Sequence, residues 1–140
     1  MRLSKPEGKQ RGAALLEALI GILIFSSGIL ALVGMQGIAV KQMVDAKYRS
    51  DAGFLANQLV GAIWINRANL ASYAYAGGGS PPAVINDWVA GVQSTLPGVT
   101  AVVNQPTVQI AGTQVTVTIF WQPPGSAIRN NYLMIAYING

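Results

Sequence analysis

Glu17 is the residue whose placement most demands a chemical explanation. It lies in KQRGAALLEALIGILIF (residues 9–25), and it is the only charge between Ala13 and Val40. A charge at the centre of a membrane helix costs about 3 kcal/mol on insertion scales. Glu17 is near one end of its run, so its penalty is smaller, but a positive partner is still expected. The rest of the sequence offers little reactive chemistry. Histidine and cysteine are absent, which removes the commonest general base, the commonest metal ligand and any disulfide. From Ala52 to Gly140 the only charged residues are Arg67, Asp87 and Arg129. That leaves no carboxylate pair for acid–base catalysis, no Ser–His or Cys–His nucleophile set and no metal site. Gly77, Gly78 and Gly79 are not followed by a phosphate-loop lysine. An enzyme is not expected, and no cofactor is.

The charge distribution narrows the partners. The chain has 140 residues, 51% of them hydrophobic and 10% charged, with formal charge +4. Most of that charge sits at the head, where Arg2, Lys5, Lys9 and Arg11 stand against Glu7. It is therefore not a nucleic-acid footprint, and Arg67 with Arg129 does not make a basic patch. Trp64, Trp88, Trp121, Tyr73 and Tyr75 are candidates for a sugar- or surface-binding patch. Packing is the favoured role for Trp64 and Trp88, and the two readings are balanced for Tyr73 and Tyr75. Scarce surface charge also leaves a subunit poorly protected from association with its like.

The elements that position these residues follow from periodicity. Ala18 to Val40 is uncharged, and a bilayer needs roughly 20 apolar residues to be crossed as a helix. Beyond Lys41, the residues Val44, Tyr48, Ala52, Leu55, Leu59 and Ile63 recur three or four apart, the pattern of a one-sided helix. No proline occurs between Pro6 and Pro81. The spacing predicts one long helix from about Ala14 to about Asn69. GGGSPP (77–82) breaks the chain. A short helix is expected from Ala83 to Leu96, ended by Pro97-Gly98. Strands are expected at 99–103, 107–110, 114–121 and 132–138, where β-branched and aromatic residues concentrate. The expected fold class is α+β, with the long helix packed on a small antiparallel sheet of about four strands.

The head has a family resemblance. A short basic leader ending in glycine, an apolar run, and glutamate five residues beyond that glycine are all present in RGAALLEALIGILIF. This stretch resembles the class III signal of type IV pilins and of the related pseudopilins of type II secretion. ASYAY, LPG and VTIFW fit the same likeness further along. The resemblance implies a pilin-like fold and a division into leader 1–12, transmembrane helix 13–40 and periplasmic domain 41–140. It implies cleavage by a prepilin peptidase between Gly12 and Ala13, and methylation of the amino group exposed on Ala13. Glu17 would then be the assembly residue, pairing with an N-terminus. The implied partners are that peptidase, the major and other minor pilins, and an inner-membrane assembly platform. The family usually carries phenylalanine where Ala13 stands. The chain also lacks the cysteine pair of many major pilins and the proline of their apolar helix. The implied location is the inner membrane, with the N-terminus cytoplasmic as the basic leader favours, and later the pilus.

Three other readings share parts of this head. One is a minor pseudopilin. A second is an ordinary signal peptide cut near Gly37-Ile38-Ala39, releasing a secreted binding domain. A third is an uncleaved signal anchor. N-terminal sequencing of the mature protein is expected to begin at Ala13, whereas a start near Val40 would select the secreted domain.

Overall fold

The absence of proline between Pro6 and Pro81 has a direct result. In the computed structural model, which describes residues 8–139 and side chains from Gly12, α1 runs from Gly8 to Ile65 without interruption. Most of the leader, residues 1–7, lies outside the described part. The chain divides into two units at Met43/Val44.

In the first unit every residue from Gly12 to Met43 is exposed. Gly28, Gly34 and Gly37 do not break the helix, although glycine costs about 1 kcal/mol relative to alanine within a helix. Ser27 turns its hydroxyl back to donate to the Leu23 carbonyl at 2.9 Å, which satisfies it within the helix. By length and composition α1 carries a stretch able to cross a membrane.

In the second unit, α1 from Val44 onward is one-sided. Ala52, Ala56, Leu59 and Ile63 are buried, whereas Phe54 and Ile65 are exposed. The two alanines are fully buried and Gly53 lies against the Tyr132 ring, so the helix backbone approaches its neighbours closely. Helix α2 spans Asn86–Thr95, entered through a 3-10 turn at Ala83–Ile85, and buries Val89 and Val92.

Strands β1 (Thr107–Ala111), β2 (Gln114–Trp121) and β3 (Asn130–Tyr137) form an antiparallel sheet in the order β1-β2-β3. Val115, Val117, Ile119 and Trp121 alternate along one face of β2 and are all buried, while the residues between them are half-buried. The register sets Val117 opposite Val108 on β1 and Met134 on β3. A two-residue loop, Gly112-Thr113, joins β1 to β2 with Gly112 at φ +61. Glycine is favoured there because the first central position of such a turn takes a positive φ. The fold is thus α+β, a long helix packed through its second half on a small sheet.

Three expectations differ from the structure. The sheet has three strands rather than about four, because 99–103 forms a loop. There the Thr100 N–H donates to the Val103 carbonyl at 2.9 Å, and the Thr100 hydroxyl accepts from the Val103 N–H at 3.1 Å. Asn104 follows with φ +56, outside the range of a strand. A fourth contact to the sheet is made instead by Tyr75, which forms a single antiparallel bridge with Val108. Helix α1 ends at Ile65, about a turn earlier than expected, and Arg67–Tyr73 continues as 3-10 turns with a non-helical residue at Asn69. Finally, Trp64 is 41% exposed rather than packed in the core.

Gly98 is held at φ +71, and a Cβ there would lie 2.9 Å from the Gln122 carbonyl oxygen. The turn is fixed from the other side, where the Gln122 N–H donates to the Pro97 carbonyl at 2.9 Å. Gly98→Ala combines a left-handed conformation with a backbone clash, so a loss of about 1–3 kcal/mol is expected. Urea unfolding of the detergent-solubilised protein measures it, with Gly78→Ala as the comparison that lacks the clash.

Candidate functional site

Gly12, Ala13 and Glu17 all lie within α1, and all three are exposed. The intervals fix their relation. Glu17 is four residues beyond Ala13, so the helix places both on one face with a rise of about 6 Å. No ion pair involves Glu17 among the described residues. The peptide linkage between Gly12 and Ala13 explains this, because in the uncut chain Ala13 carries an amide and not an amine. A cation at Ala13 arises only when that bond is broken. A Cβ at Gly12 would meet nothing within 4 Å, so the glycine there is not required by packing.

The single ion pair among the described residues is Lys47 to Asp51, 2.8 Å apart and one turn along α1. The Asp51 hydrogen bond, then its charge, raises the Lys47 pKa above its usual value of 10.5. A raised folded-state pKa means that the pair's contribution is fully present below the unfolded value and is lost as pH rises through the folded one. Nothing from this pair changes near neutrality. Lys47 is exposed to solvent, which marks the pair as a minor contributor.

The aromatic residues do not form a patch. Tyr73 and Tyr75 are buried, which resolves their role as packing. Tyr73 accepts a hydrogen bond from Asn66 Nδ2 at 3.2 Å. The Tyr75 hydroxyl donates to Gln105 Oε1 at 3.2 Å. Trp121 is buried, and its Nε1 has no hydrogen-bond partner among the described residues. Trp64 is exposed on α1. Arg129 lies 4.5 Å from the centre of the Phe120 ring, a cation–π contact rather than part of a basic surface. No group of three or more histidine, cysteine, aspartate or glutamate residues that could hold a metal occurs among the described residues.

One feature was not visible in the sequence. A groove of about 310 Å³ lies between α1 and α2, lined by Gln58, Leu59, Ala62, Val84, Asp87, Trp88 and Gly91. Its two walls are about thirty positions apart in the chain, and no periodicity signals that they meet. Trp88 was expected to pack on the helix. It does so by donating from Nε1 to the Leu55 carbonyl at 2.8 Å, and it also lines the groove.

Comparison with known proteins finds no match, whether to a protein-family model, to a characterised protein or to a solved structure.

Proposed function

We propose that this protein is a minor pilin of the PilV kind, a structural and assembly subunit of a type IV pilus. The observation that carries the reading is the head: a basic leader, Gly12, Ala13 and, five residues past the glycine, Glu17 as the one charge of an apolar helix. The fold supports it, since this helix continues unbroken into a small domain whose sheet packs on its second half. In this reading residues 13–40 anchor the chain in the inner membrane with the leader cytoplasmic and the domain periplasmic. A prepilin peptidase cuts between Gly12 and Ala13, and the subunit then joins other minor pilins to prime assembly.

Glu17 has a specific task in such a process. A carboxylate in apolar surroundings is unfavourable until it is paired. Cleavage supplies the α-amino group of Ala13, which is mostly positive at neutral pH when unmodified. The arrangement in which Glu17 meets the amino terminus of its own or a neighbouring subunit is therefore favoured over arrangements that leave either charge alone.

Glu17→Ala is expected to insert and to be cut after Gly12 as before, while its recovery in sheared fibres drops about tenfold or more, the effect of losing 1.4 kcal/mol or more of pairing. Immunoblots of membrane and sheared-fibre fractions read both quantities, and undiminished recovery of the variant would remove the role given to Glu17. Deletion of the gene, scored for surface pili, twitching and secretion, separates the pilus reading from a type II secretion pseudopilin. Intact piliation with lost secretion would favour the latter.

A further inference from the structure

From Ala52 onward the chain has one carboxylate side chain, Asp87, and that side chain stands on the wall of the groove between α1 and α2. Asp87 is exposed and takes part in no ion pair among the described residues. Beside it Trp88 is half-buried, its indole tied to α1 by the hydrogen bond to the Leu55 carbonyl. Leu59, Ala62 and Val84 make the remaining walls largely aliphatic, and Gln58 adds an amide.

Asp87 also lies in the first turn of α2, where a carboxylate is favoured by the helix dipole. That accounts for an acid at this point of the helix. It does not account for a cavity walled by an aromatic ring and aliphatic side chains next to that acid. Each part of the groove matches one part of a long basic side chain. Aliphatic walls take the methylene stem, the indole adds aromatic surface, and the carboxylate closes an ion pair. A volume of about 310 Å³ is at the lower end of the range for small-molecule sites, roughly 300–1,000 Å³. That is room enough for a long basic side chain.

We propose that this groove receives a lysine or arginine side chain presented by a partner protein. Charge complementarity fixes the sign, since Asp87, the one acid beyond Asp51, is in no ion pair among the described residues and stands at the groove. The proposal stands apart from the assembly reading, because its residues are distant in sequence from Gly12, Ala13 and Glu17.

Titration of the full-length protein in detergent micelles tests it. The probes are the methylamides of Nα-acetyl-lysine and Nα-acetyl-arginine, with Nα-acetyl-norleucine methylamide as the uncharged isostere and methyl glucoside as a neutral polar probe. The Trp88 indole N–H resonance, assigned by its absence in Trp88→Phe, reports occupancy. The cationic probes are expected to shift it with a midpoint of about 1 mM, and norleucine at least fivefold less effectively. Asp87→Asn is expected to weaken the cationic probes at least fivefold, and Asp87→Glu less than twofold. Gly91→Leu fills the groove, because a Cβ at Gly91 meets nothing within 4 Å and leucine is the better helix former. That variant is expected to fold normally and to lose the response. Equal shifts from norleucine, a stronger response to methyl glucoside, an unaffected Asp87→Asn, or no response to any probe would each overturn the proposal.

Discussion

One continuous helix carries two different side-chain patterns along its length. The helix is regular throughout, from Gly8 to Ile65, so the whole difference between its halves is carried by side chains. From Gly12 to Val40 they are mostly apolar on every side, with Glu17 the one charge, and none is buried within the protein. A helix of this kind keeps its backbone polar groups bonded internally, which is what a bilayer demands of a spanning segment. After Val44 the side chains separate into a buried stripe and an exposed one. The core of the domain is built on that stripe, with Ala52 and Ala56 letting the helix come close and Leu59 and Ile63 filling the space beyond. Residues of the sheet and of α2 complete the same core.

The same helical phase governs the head. Ala13 and Glu17 share a face because the helix is regular there, and a kink between them would separate any amine on Ala13 from the carboxylate. Scarcity of charge then gives each acid weight. In a chain with five acidic residues, one stands inside the apolar run, one is bound to Lys47, and one stands on a groove wall.

Much of this organisation could be read from the sequence, because the strongest signals were uninterrupted patterns. The long helix followed from the absence of proline and from the change of periodicity near Lys41. Strand β2 followed from strict alternation between Val115 and Trp121. The errors arose where local hydrogen bonding competed with propensity. VTAVV has the composition of a strand, but Thr100 folds it into a loop with its own hydroxyl and amide. Asn66 and Asn69 bond to each other at 2.8 Å just past the end of α1, where the regular helix gives way. Trp64 was assigned to the core by residue type, yet its place on α1 beside the buried Ile63 turns it outward. The groove could not be read at all, since it depends on how α2 lies against α1.

Tyr75 has a consequence for the chain's connectivity. It exchanges two backbone hydrogen bonds with Val108, of 2.9 and 2.8 Å, and its hydroxyl reaches Gln105. These contacts clasp the two ends of a segment that contains the glycine loop and α2. The loop at Gly77, Gly78 and Gly79 is mostly exposed and glycine-rich, a favoured site for a protease. A nick there would not free α2, which stays joined to β1 by the chain itself and to α1 through Trp88, while the clasp ties the piece ending near Tyr75 to β1. Two fragments cut at this point would remain one folded body, so the covalent link across the glycines serves to bring the pieces together rather than to hold them.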